Sequence, residues 1–194
     1  KITISVILAV VVAAAIYFIG WPMFKNLNNS AMEKVNTTAV EPIGPPAIGQ
    51  PRAIVATSMG TFEIELYQTD APKTTANFIK LAERRFYDNL TFHRVARGFV
   101  IQGGDPNGDG SGGPGYAFAD ELDPATKSYQ EGYKKGVVAM ANSGPNTNGS
   151  QWFVVLADAP SLPKNYTIFG KIIRGQNIVD AIGLLPVGAN DKPL

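Results

Sequence analysis

Two runs constrain this chain more than any other part of it. Thr91 to Asp105 reads TFHRVARGFVIQGGD, and Met140 to Val154 reads MANSGPNTNGSQWFV. Each mixes apolar residues suited to strands with a few polar side chains that a plain core does not need. The surrounding pattern is one of short strands. Ala53–Ser58 and Thr61–Tyr67 alternate apolar and polar residues on either side of Met59-Gly60, which predicts an opening hairpin. In its second arm Phe62, Ile64 and Leu66 share one face, with Glu63 and Glu65 on the other. Further strands are predicted around Phe92–Val95, Val100–Gln102, Val137–Ala141, Trp152–Leu156 and Thr167–Ile172. A helix is predicted over Pro72–Phe86. Pro72 suits its first turn, and Phe78, Leu81 and Ala82 form an apolar stripe. A second is predicted over Gln176–Leu184, with Ile178, Val179 and Ile182 on one face. Many short strands with two helices favour a mainly β, closed barrel over a layered α/β fold and leave strand order open.

Hydrophobic residues make up 45% of the 194 positions, which suffices for a packed core in one domain with extra segments. The net charge of +1 gives no ground for a nucleic-acid partner or an acidic substrate. With no cysteine there is no disulfide, thiol nucleophile or Cys-based metal site, and the single histidine, His93, excludes a multi-His zinc site. Strand alternation sends His93 to the face opposite its neighbour Arg94, which makes it structural.

Ile2 to Phe24 contains no charged residue. About 20 helical residues cross a ~30 Å hydrocarbon core. Tyr17, Phe18, Trp21 and Phe24 cluster at one end as interfacial aromatics do, and Lys25 follows at once. The expectation is a transmembrane signal anchor over residues 1–24, engaging a lipid bilayer through residues 2–24. A cleaved signal peptide is the alternative. Residues 25–51, with Pro42, Pro45, Pro46 and Pro51, read as a flexible linker, and residues 52–194 as the folded domain. The arrangement implies a single-pass protein of the cell membrane with its domain outside the cytoplasm, or a secreted domain if the leader is cleaved. Because the first residue is Lys1, a few residues are expected to precede it.

The two runs, in this order, resemble the signature segments of the cyclophilins, the peptidyl-prolyl cis-trans isomerases of that family. The resemblance covers roughly Arg52 onward, and LPKNYTIFG at Leu162–Gly170 is similar to the bacterial branch. It implies an eight-stranded closed antiparallel β-barrel capped by two α-helices, with a last strand beyond Leu194 to which Asp191–Leu194 leads. It implies a monomeric domain acting on proline-containing unfolded or folding polypeptides, without cofactor or metal. Arg94 takes the place of the catalytic arginine of the FHR motif. Gln102 and Gln151 would hold Arg94 and the substrate backbone. Phe99, Val100, Phe153 and Leu162 match the proline pocket, and Ala141 and Asn142 the positions that contact an extended substrate backbone. A turn role is the alternative for Asn142. Three positions depart from the family pattern. Val100 stands where members often carry Met, Tyr166 where many carry a rim histidine, and Ser161 where many eukaryotic members carry a tryptophan that contributes to cyclosporin binding.

The chemistry implied is rotation about an X-Pro amide against a barrier of ~18–20 kcal/mol. No bond to a heavy atom is made or broken, so neither nucleophile nor metal is required. An apolar pocket gripping the proline ring and fixed donors favouring the twisted amide suffice. A guanidinium fits the second role because it keeps its charge at any working pH. The departures at Val100, Ser161 and Tyr166 leave a rival open, a module that binds proline peptides with little turnover. A second rival is a calcium-regulated domain built on Asp105, Asn107 and Asp109. It is weaker, because the twelfth loop position is Tyr116 where a bidentate Glu belongs.

Overall fold

The alternating hydrophobicity of the domain is realised as one antiparallel sheet. The computed structural model describes Ile4–Leu8 and residues 49–194. Strands β1 (Ile4–Leu8), β2 (Arg52–Thr57), β3 (Gly60–Leu66), β4 (Arg94–Ala96), β5 (Val100–Gly103), β6 (Val137–Met140), β7 (Trp152–Val155) and β8 (Ile168–Arg174) lie in the order β1-β2-β3-β8-β6-β7-β5-β4. The opening hairpin is present, with Val55 opposite Phe62 and Ala53 opposite Ile64. Each of the other predicted strands is found close to its expected bounds.

Three expectations need correction. The barrel does not close among the described residues, because the terminal strands β1 and β4 do not pair with each other. Residues 52–194 supply seven strands, and the eighth is Ile4–Leu8, paired antiparallel to the free side of β2. That places Ile4–Leu8 in a strand and not in the expected membrane helix. No helix among the described residues is long and apolar enough to cross a membrane, and the remainder of the anchor and nearly all of the linker lie outside those residues. The segment read as the lead-in to a last strand forms instead a closed loop. Val187 bridges Pro193, Leu194 N–H donates to Pro186 O at 3.1 Å, and Ala189–Asp191 makes a 3₁₀ turn.

Helix α1 (Pro72–Glu83) turns Phe78, Leu81 and Ala82 inward, in keeping with the apolar stripe. It ends three residues before the expected Phe86, because Arg85 adopts a left-handed φ of 58°. No side chain of its own caps its start. The carboxylate of Glu121 does so from 47 and 48 residues away, accepting from the N–H groups of Lys73 (3.0 Å) and Thr74 (2.8 Å). These are donors that a helix leaves unpaired, at the end of its dipole that favours negative charge. A short helix, α2 (Lys127–Glu131), has no counterpart among the sequence expectations and is capped by Thr126. Helix α3 (Gln176–Gly183) buries Val179 and Ile182.

Alternate residues of the central strands feed two separate apolar clusters. Val95, Ile101, Val138, Met140, Trp152, Val154 and Phe169 join the helices' buried faces in the main core. There Trp152 is fully buried and meets Phe78 and Phe92 edge-on, with centroids at 5.9 and 5.7 Å. Residues of the opposite parity, among them Val100, Val137, Ala139, Phe153 and Val155, form a second cluster. That parity separates the core from the site.

His93, just before β4, is buried at 8% exposure. Neither ring nitrogen has a hydrogen-bond partner among the described residues. Burial lowers its pKa; Asp105 and Asp109 oppose that shift, and Arg94 and Lys192 add to it. An imidazole of the unfolded chain takes up a proton near pH 6.5, while the folded one holds out to lower pH. Between those two values the unfolded state binds more protons, so stability rises with pH there. The protein is therefore expected to lose urea stability as pH falls below about 6.5. His93→Phe should lack that component while keeping the lower carboxylate transition. Identical pH profiles for the two proteins would refute a buried neutral imidazole.

Candidate active site

The site is a row of side chains across neighbouring strands. In register, Arg94 on β4 lies opposite Gln102 on β5, Gln102 opposite Phe153 on β7, and Phe153 opposite Ala139 on β6. Val100 lies two residues from Gln102 on the same face. The short turn between β4 and β5, closed by Phe99 N–H donating to Ala96 O at 2.9 Å, brings Phe99 beside this row. A cavity of about 180 Å³ opens here. It is lined by Arg94, Phe99, Val100, Gln102, Ala141, Asn142, Phe153, Leu162 and Tyr166. Nine of the ten sequence-predicted site residues thus border one space.

The tenth, Gln151, faces an adjoining cavity of about 370 Å³ between the Gly-rich loop at 110–116 and the arm carrying Ser143, Thr147 and Gly149. Gln102, Ala141 and Asn142 border both cavities. Gln102 Nε2 donates to Gln151 Oε1 at 2.9 Å, and Gln151 Nε2 donates to the carbonyls of Gly110 (2.9 Å) and Gly112 (2.8 Å). The two glutamines therefore bind each other and the loop. The side chain that holds Arg94 is Asp191, with Arg94 Nε donating to Asp191 Oδ2 at 3.3 Å.

The Asn142 side chain donates to Asn165 O at 2.9 Å and accepts from Gly144 N–H at 3.2 Å. The turn role open to an asparagine is realised while the residue still borders the cavity. Asp105 is buried, and its carboxylate accepts the N–H groups of Asn107, Asp109 and Gly110. Those oxygens pin the Gly-rich loop to itself, and Asp109 Oδ1 accepts from the N–H and the hydroxyl of Ser111, so both acids of the calcium-like spacing serve hydrogen bonds within the loop.

Tyr166 at the rim stacks edge-on with Phe153, centroids 5.6 Å apart. Its position depends on a residue that sequence reasoning does not single out. The Tyr133 hydroxyl donates to Tyr166 O at 2.9 Å and accepts from Tyr166 N–H at 3.0 Å. Burial pushes the Tyr133 phenol up to about 12, so it stays a neutral donor throughout the working range.

Comparison with known proteins agrees with this geometry. Residues 52–194 match the family model for the cyclophilin type peptidyl-prolyl cis-trans isomerase/CLD. The chain belongs to the cyclophilin-type peptidyl-prolyl cis-trans isomerases. It is 47% identical over 142 residues to the peptidyl-prolyl cis-trans isomerase-like 1 of Neurospora crassa, covering 72% of this chain and 85% of that one. With the protein of the same name from Rhizopus delemar the identity is 48% over 142 residues, covering 72% and 84%. A crystal structure of a Cryptosporidium parvum cyclophilin superposes with a TM-score of 0.68 at 38% identity, covering 75% of this chain and 90% of that one. The same parasite cyclophilin in the presence of the dipeptide Ala-Pro gives 0.67 at 37% identity, covering 73% and 90%. These relatives are eukaryotic, so they lend no support to a bacterial branch for this cyclophilin.

Proposed function

We propose that this cyclophilin domain accelerates cis-trans exchange of X-Pro amides by gripping the proline ring in the 180 Å³ cavity and presenting Arg94 to the twisted amide. The observation that carries the reading is the in-register row Arg94–Gln102–Phe153, which sets a charged donor, an amide and an aromatic wall side by side. Phe99, Val100, Phe153 and Leu162 hold the ring. Gln102, Ala141 and Asn142 meet the flanking backbone, and Gln151 fixes Gln102 against the loop. Arg94 donates to the amide as its resonance is lost, an interaction stronger in the transition state than in the ground state.

The test is exchange measured by NMR on a proline-containing peptide with the whole chain. Acceleration at catalytic concentrations is expected. Peptide binding without acceleration would favour the binding module and make Val100, Ser161 and Tyr166 the first suspects.

The uncharged run Ile2–Phe24 supports a further proposal, that the domain is held at a membrane, outside the cytoplasm, by residues 1–24 with residues 25–51 as tether. The pairing of Ile4–Leu8 with β2 is the competing arrangement for part of that run. Fractionation decides between them. Retention in carbonate-washed membranes is expected, and full release of the intact chain would overturn the anchor.

A further inference from the structure

The loop that follows α3 delivers one carboxylate to the site. It is closed on itself by Gly188 N–H donating to Lys192 O at 2.8 Å and by the Val187–Pro193 bridge. At its tip Asn190 and Asp191 both adopt left-handed backbone, φ 56° and 59°. Two consecutive non-glycine residues in that region are disfavoured, and such strain persists where the surroundings enforce it, often at functional sites. The carboxylate so presented meets Arg94 across 97 residues of chain.

The pair is not there for stability. Arg94 and Asp191 side chains are 40% and 42% exposed, a setting in which an ion pair contributes little. Its geometry is informative. Asp191 engages Nε, whereas the terminal guanidinium nitrogens make no hydrogen bond to the described residues. A guanidinium is a rigid planar fork, so fixing Nε sets the plane and the direction of both terminal N–H groups. Gln102 and Gln151 do not share this task, being bonded to each other and to the Gly-rich loop.

We propose that Asp191 is a positioning residue for the isomerisation: it holds Arg94 by Nε so that the terminal N–H groups face the proline amide. This rests on the isomerase reading above. Because misplacing a catalytic group by about 1 Å costs up to ~10²-fold, removing one of its restraints should cost less. Asp191→Ala is expected to lower kcat about 5- to 10-fold with KM changed less than about 2-fold, the pattern of a lost transition-state interaction. Asp191→Asn keeps a neutral acceptor and the left-handed tolerance of its type, and should recover much of the rate.

The decisive measurement is a double-mutant cycle with Arg94→Lys, which retains charge and lacks Nε. In that background Asp191→Ala should change kcat by less than about 2-fold. The side-chain Nε–H resonance of Arg94 should also shift or exchange faster in Asp191→Ala alone. An equal loss in both backgrounds would assign Asp191 a merely structural role and overturn the proposal. So would an Asp191→Ala rate equal to wild type in an active enzyme. Absence of activity in the wild type is a separate outcome, and it would remove the isomerase reading together with this one.

Discussion

Arg94→Ala is expected to lower kcat/KM for prolyl isomerisation by about 10²- to 10³-fold, equivalent to ~3–4 kcal/mol of transition-state stabilisation, the loss typical of removing one preorganised donor. Urea unfolding should barely move, because the ion pair lost is half-exposed, a kind that contributes ~0–1 kcal/mol. The apolar wall is untouched, since Phe99, Val100, Phe153 and Leu162 belong to the second cluster rather than to Arg94's partners. Affinity for a proline peptide should therefore fall much less than the rate. A variant that kept wild-type exchange rates would eliminate the proposed mechanism. One that lost rate and fold together would shift the role of Arg94 from catalysis to structure.

Gly104→Ala should destabilise the domain by about 2–5 kcal/mol, the sum of a left-handed alanine at ~1–2 kcal/mol and overpacking at ~1–3 kcal/mol. Gly104 has φ +82°, and a Cβ there would press into the Ser150 carbonyl oxygen and come within 2.9 Å of Trp152 Cδ1. The Gly104 carbonyl in turn accepts from Ser150 Oγ at 2.7 Å. This is where the two signature runs meet, so the side chain missing at 104 lets the backbone of one lie against the other. Gly98→Ala serves as the comparison. Gly98 has φ +72°, and a Cβ there would meet nothing within 4 Å, so only the conformational cost of ~1–2 kcal/mol applies. Equal urea midpoints for the two variants would refute the close approach at Gly104.

Much of this is legible locally. Period-two alternation places the strand of Phe62–Leu66, while Trp152–Val155 is legible as a short continuous apolar run, buried at every position. The pocket residues follow from resemblance, and the register brings nine of the ten to one cavity. What stays hidden is long-range. Whether a sheet closes depends on its two terminal strands finding each other, which no local pattern encodes, and here β1 and β4 do not. The cap on α1 comes from Glu121, and the restraint on Arg94 from Asp191, each an ordinary surface acid in sequence. Five-residue α2 is too short to show a helical period. Tyr133 escapes notice because its value lies in both bonds of one hydroxyl to a distant backbone.

The division of strand residues between two clusters has a consequence for how such a domain diversifies. Ile101 and Val154 face the core, while their neighbours Val100 and Phe153 face the cavity. A substitution at Val100 can therefore reshape the grip on a ligand without opening a void beneath Trp152. Inheritance of the scaffold and drift in what it recognises are written on alternate letters of the same short words, so a lineage can revise its choice of partner while the demands of folding hold the other letters in place.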